Sequence, residues 1–165
     1  MFYWSTKTWV FPKTISSLRG AISSAAPLLA VLWSMNPKAK GEISEAAVLA
    51  RLVDQGYPVS IPFGNNQRYD FIVETGKALV RVQCKTGKAC DDGILFKACS
   101  TNGFTGVDTG YSGQADVFVV YVPTTRKFYW VPVEDVKAIR VKLRTKPPKK
   151  DSSTAGYRWA KDYEF

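Results

Sequence analysis

A chain of 165 residues, 45% of them apolar, is long enough for one packed domain with a short appendage. Its net charge of +9 points to a polyanionic partner, a nucleic acid or an acidic membrane surface, or else to a merely basic soluble protein. Histidine is absent, which excludes His-based triads and His-ligated zinc, and three cysteines with no C-x-x-C pair (Cys84, Cys90, Cys99) fit a reducing, cytoplasmic interior.

Residues 1–35 form an N-terminal extension unlike the rest, with no acidic residue as far as Lys40. The apolar run Ala21 to Trp33 is too short for a bilayer span and Pro27 interrupts it, so no stable membrane association is expected. It reads as a signal peptide, as an organelle transit segment, or as translation upstream of a true start at Met35. The last is preferred, because Met35-Asn36-Pro37-Lys38 leads straight into ordered patterning. In each case the segment is expected to be dispensable, with the functional domain spanning 36–165.

A helix is expected from Gly41 to about Gln55, stopped by Gly56. Its wheel groups Glu45, Val48, Leu49, Leu52 and Val53 in one arc, with Ser44, Arg51 and Gln55 outside. Glu45 thus falls amid the apolar arc. Either it is a half-buried carboxylate favoured by the helix dipole, or it needs a cation as partner. A strand from Tyr57 to Phe63 with irregular, Pro-marked ends comes next.

The pivotal stretch is a predicted hairpin, Tyr69 to Val73 and Leu79 to Lys85, turning at Gly76-Lys77. Alternation sends Leu79, Val80, Val82 and Cys84 to a core and Arg81, Gln83 and Lys85 to the other face, where Asp70 joins them. A carboxylate, an amide oxygen and an ammonium on adjacent strands suit a divalent cation beside a phosphate. Phosphodiester hydrolysis is the reaction type this favours. Each residue also has a plainer reading: Asp70 as a turn residue, Gln83 as solvent-facing, Lys85 as a charge that blunts an edge strand.

Further on, a loop from Thr86 leads to a short strand from Ile94 to Cys99, followed by a small, polar stretch. Asp116 to Val122 reads as a central strand buried on both faces, paired with Lys127 to Pro132 through a turn. Val136 to Leu143 alternates as a further strand, and the tail is basic before turning aromatic. Arg81, Lys88, Lys97, Arg126, Lys127, Lys146, Lys149 and Lys150 are candidate phosphate contacts on a nucleic acid. The loops 87–92 and 100–110 are candidate groove-entering ribbons or ordinary solvated loops.

Glu45 on a helix, Asp70 on one strand and Gln83-x-Lys85 on the next resembles the PD-(D/E)XK nuclease superfamily, with Tyr69 in the place of its proline and Gln83 in that of its second carboxylate. The stretches Lys40 to Glu45, Asn66 to Asp70, Val82 to Thr86, Val119 to Pro123, Tyr129 to Pro132 and Ala160 to Tyr163 occur in order. Together they resemble the group I intron-associated PD-(D/E)XK endonucleases, which include a homing endonuclease. The resemblance implies a restriction-endonuclease-like α/β fold with a central mixed β-sheet and flanking helices. It implies Mg²⁺, with Mn²⁺ as substitute, held by Asp70, Gln83 and, through water, Glu45, with Lys85 steadying the phosphate or the attacking water. It also implies that the nucleic acid is double-stranded DNA, and a homodimer or a homotetramer. Other readings are a Holliday-junction resolvase or repair nuclease, a DNA-binding module without catalysis, and a membrane-surface protein.

Overall fold

The computed structural model describes residues 36–64, 66–147 and 156–165. The expectations for residues 1–35 and for Lys149 and Lys150 lie outside them. Helix α1 (Pro37–Asp54) begins at Pro37 rather than Gly41, because Asn36 caps it by accepting from the Ala39 N–H and Pro37 fits the first turn. Gly56, at φ 80°, ends it as expected. The buried stripe is Ser44, Val48 and Leu52, while Val53 is 59% exposed. The expected arc is therefore turned by about one position. Its cause is a hydrogen bond at 2.6 Å between the Ser44 and Thr86 hydroxyls, which gives a buried polar side chain its partner.

The main sheet runs in the order β1 (Val59–Ser60), β2 (Phe71–Glu74), β3 (Leu79–Thr86), β8 (Val117–Val122), β9 (Lys127–Pro132). All neighbours are antiparallel except β3 and β8, which makes the sheet mixed. The predicted hairpin is β2–β3, with Gly76 at φ 75° in its turn. Leu79, expected in the core, is 68% exposed because it pairs with Glu74 beside the hairpin's turn, at the far end of the strand pair. The strand expected over Tyr57 to Phe63 shrinks to β1, and Phe63 stands in solvent.

Adjacent parallel strands need a long crossover, and residues 87–116 supply one built of strands instead of a helix. It holds β4 (Lys88–Cys90), β5 (Gly93–Lys97), β6 (Ser100–Thr101) and β7 (Asp108–Thr109). Strands β4 and β5 join β10 (Arg140–Arg144) in a second, antiparallel sheet, so residues 86–93 are less of a loop than expected. Strands β6 and β7 form a separate two-stranded ribbon. A short 3₁₀ turn (Val133–Asp135) follows β9, and because residues 136–139 are irregular the strand expected from Val136 begins only at Arg140, as the five residues of β10.

Strand β8 is buried on both faces, as its unbroken apolar run requires. On one face Val117 and Val119 pack with Val48 and Leu52 of α1 and with Phe71, Val73 and Val82. On the other, Phe118, Val120 and Val122 pack with Ile94, Phe96, Val141 and Leu143 of the second sheet. The result is helix, sheet and sheet in layers. The chain's last residues lie along β9, where the Trp130 N–H reaches the Tyr163 carbonyl and the Phe165 N–H the Phe128 carbonyl. Among the described residues no helix is long and apolar enough to cross a membrane.

Candidate active site

The pairing of Phe71 with Val82 puts Asp70, one residue before β2, opposite Gln83. The Asp70 N–H still bonds the Val82 carbonyl at 2.8 Å, but β2 has no residue left to meet the Cys84 N–H farther along β3. The Asp70 carboxylate takes that role. Its Oδ2 accepts from the Cys84 N–H and from Gln83 Nε2, both at 2.6 Å. One strand end and one side-chain amide thus fix the carboxylate. Burial pushes its pKa above the usual carboxylate range, against the pull of the Cys84 N–H and the Lys85 charge.

Lys85 lies two residues beyond Gln83 on the same face. Its Nζ donates to the Tyr111 hydroxyl at 2.8 Å and to the Cys99 carbonyl at 3.3 Å. Burial lowers its pKa to about 8, with the Asp70 charge opposing that fall. Glu45 comes from α1. Its neighbour Ser44 is pinned to Thr86, at the end of the strand that carries Lys85. Burial raises the Glu45 pKa first, then the charges of Asp70 and Glu42. Glu45 and Asp70 are therefore near enough to repel each other. The Cys84 thiol is pushed well up by burial and by the same two carboxylates, so it stays protonated and is no nucleophile.

This set suits a hard divalent cation. Two carboxylates that burial and mutual repulsion hold in an unfavourable charged state gain from a positive charge, and Gln83 adds a neutral oxygen. Among the described residues no three His, Cys, Asp or Glu side chains cluster. An ion here would complete its shell from water and phosphate, the way Mg²⁺ is commonly held.

The expected polar trio therefore meets on one face, with Glu45 acting on Asp70. Arg81 does not join it. Its guanidinium grips Asp116 (2.6 Å) and the Gly113 carbonyl (2.8 Å), tying β3 to the segment that enters β8. Lys97 is paired with Asp108 at 2.8 Å across the foot of the β6–β7 ribbon, and Lys127 with Glu164 at 2.6 Å. Lys88, Arg126 and Lys146 are exposed, Arg126 in the β8–β9 turn at φ 55°.

The sequence reading missed Arg68 and Tyr111. Arg68 bonds the Gln114 side chain and the Gly110 carbonyl, and its guanidinium stacks 4.5 Å from the Tyr111 ring centre. Tyr111 is buried and packs its ring edge-on against Phe118. The available signal was weak: Tyr111 is one of two aromatics, with Phe104, in a mostly small, polar stretch.

No curated protein sequence matches the chain. Its fold matches that of a bacterial homing endonuclease, I-Ssp6803I, at a TM-score of 0.62 and 22% identity, over 79% of this chain and 89% of that one. A family model described as PD-(D/E)XK endonuclease matches residues 35–165. The helix carries Glu45 and the hairpin carries Asp70, Gln83 and Lys85, and the chain belongs to the PD-(D/E)XK endonuclease family.

Proposed function

We propose that the chain is a Mg²⁺-dependent, site-specific DNA endonuclease of the group I intron-associated homing type, with Glu45, Asp70, Gln83 and Lys85 as its active site. The observation that carries this reading is the meeting of Asp70, Gln83 and Lys85 on one hairpin face, with the Glu45 charge pressing on Asp70. The structural neighbour's description as a homing endonuclease supports the finer assignment.

A bound divalent cation would polarise the phosphoryl oxygen and acidify the attacking water. Asp70, Gln83 and Glu45 would hold it, with Mn²⁺ as a substitute. The Cys84 N–H and Gln83 Nε2 both fall on Oδ2, which fixes the carboxylate and leaves Oδ1 for the ion. Lys85 places its ammonium beside the phosphate as the water oxygen bonds to phosphorus and the P–O bond to the leaving oxygen breaks. Lys88, Arg126, Lys146, Lys149 and Lys150 set affinity through phosphate contacts. One chain carries one such site, so cutting both strands takes a homodimer or a homotetramer. The domain is residues 36–165, and a chain that starts at Met35 keeps folding and cleavage.

The test is incubation of the full chain with a random duplex library in Mg²⁺ and sequencing of the new DNA ends. Asp70→Ala and Lys85→Ala should each abolish cutting while DNA binding in Ca²⁺ persists. Cutting at wild-type rates by either variant overturns the assignment. Neutral Gln83 at a carboxylate position favours one other reading, a DNA-binding module without catalysis. DNA binding with no heat of Mg²⁺ or Mn²⁺ binding in calorimetry would establish that one instead.

A further inference from the structure

Both hydrogen bonds given by the Lys85 ammonium run to the crossover between β3 and β8. The Nζ meets the Cys99 carbonyl, just before β6, and the Tyr111 hydroxyl, two residues after β7. The ammonium also lies 4.3 Å from the Tyr111 ring centre, within reach of a cation–π contact. Tyr111 is itself immobilised: it is 6% exposed and its ring meets Phe118 edge-on, with centroids 5.4 Å apart. Arg68 clamps the same segment from the start of the hairpin, through Gln114, Ser100 and the carbonyls of Thr109 and Gly110. A flexible four-carbon side chain has many rotamers, and these contacts select one of them.

We propose that Tyr111 is a positioning residue for Lys85: its buried hydroxyl, fixed by Phe118 and by the Arg68 clamp, holds the ammonium on the face shared by Asp70 and Gln83. The proposal rests on the nuclease reading of Lys85. It concerns where the charge sits and not whether the ion or the DNA binds. A lysine freed from Tyr111 still carries its charge but spends most of its time away from the phosphate, so the loss falls on the chemical step.

The experiment uses the full chain and the duplex it cuts in the random pool, with single-turnover cleavage in Mg²⁺ measured beside DNA affinity in Ca²⁺ and thermal melting. Tyr111→Phe keeps the ring, its edge on Phe118 and its stack with Arg68, and removes only the oxygen. Its cleavage rate should fall roughly ten- to a hundredfold, the scale of a small misplacement of a reacting group, with affinity unchanged. Tyr111→Gln, which keeps an oxygen acceptor but not the ring, should cut faster than Tyr111→Phe, and this comparison decides the matter if Tyr111→Phe melts early. A wild-type rate in Tyr111→Phe, a fall in affinity equal to the fall in rate, or a Tyr111→Gln slower than Tyr111→Phe overturns the proposal. Lys85→Ala runs alongside: if it cuts normally the nuclease reading of Lys85 fails, whereas an inactive Lys85→Ala beside a fully active Tyr111→Phe removes the proposal alone.

Discussion

Gln83 is where this chain departs from the usual acidic pair, and restoring the carboxylate should expose why a neutral side chain suits the site. In Gln83→Glu, the Nε2 donor that lies 2.6 Å from Asp70 Oδ2 becomes a carboxylate oxygen. A hydrogen bond to a charged acceptor, worth about 1.5–3 kcal/mol, is lost. Two like charges at that separation repel by about 6 kcal/mol at an effective dielectric of 20, but water reaches this half-buried pair and a proton can relieve it. Protonation caps the penalty, at about 5 kcal/mol at pH 8 and about 1 kcal/mol at pH 5 for a carboxyl of ordinary pKa. Allowing for screening, the variant should lose about 2–3 kcal/mol at pH 8, or about 8–12 °C in melting temperature, and about 3 °C at pH 5. The sign follows from the direction of the shift. A folded pair whose pKa stands above the unfolded value, as burial already makes that of Asp70, loses stability as pH rises through that range. Excess Ca²⁺ should recover most of the loss at pH 8. Thermal melts at the two pH values, with and without Ca²⁺, decide the matter. A Gln83→Glu chain that melts like the wild type at pH 8 and ignores Ca²⁺ would refute the geometry assigned to Asp70 and Gln83.

Other outcomes follow from packing and charge. Gly87→Ala would put a Cβ 2.8 Å from Val122 Cγ2 and 2.9 Å from Val120 Cγ1, both on fully buried residues, and should cost about 1–3 kcal/mol in urea unfolding. Gly41→Ala on α1 meets nothing within 4 Å and should instead stabilise by about 0.5–1 kcal/mol. Lys97 and Thr101 hold the Asp108 carboxyl down at about 2, so the foot of the β6–β7 ribbon should stay tied above the ordinary carboxylate range and come loose only as pH falls toward about 2. Amide exchange at Thr101 and Asp108 would show it, and loosening already complete at pH 4 would contradict it. Arg81→Ala should leave the salt dependence of DNA binding unchanged because its charge is spent on Asp116, whereas Lys146→Ala should lower the logarithmic slope by about 1. Equal slopes for the two variants would reverse those roles.

What the sequence made legible was local or periodic. The strand period alone put Asp70, Gln83 and Lys85 on one face, and the unbroken apolar run from Val117 to Val122 marked a strand covered on both sides. What it hid depended on partners distant in the chain. Ser44 looked like a solvent-facing helix residue because nothing nearby announces Thr86 as its partner, and that bond turned the buried stripe of α1. Leu79 looked like core because alternation cannot show that its strand outruns the layer covering it. Arg81 looked like a phosphate contact because Asp116 lies 35 residues away. Tyr111 and Arg68 reach Lys85 through a loop whose closure no local pattern encodes.

The crossover from β3 to β8 links two properties that a protein engineer would prefer to alter separately. In a scaffold where an interchangeable loop only grips its ligand, that loop can be replaced and the chemistry survives. Here residues 87–116 include the β6–β7 ribbon, a candidate surface for reading a sequence, and also the carbonyl and the phenol that anchor Lys85. Retargeting by wholesale grafting should therefore yield proteins that dock and do not cut. Substitutions confined to the ribbon's outer residues, with Cys99 and Tyr111 left in place, are the route by which new specificity can arise while turnover is kept.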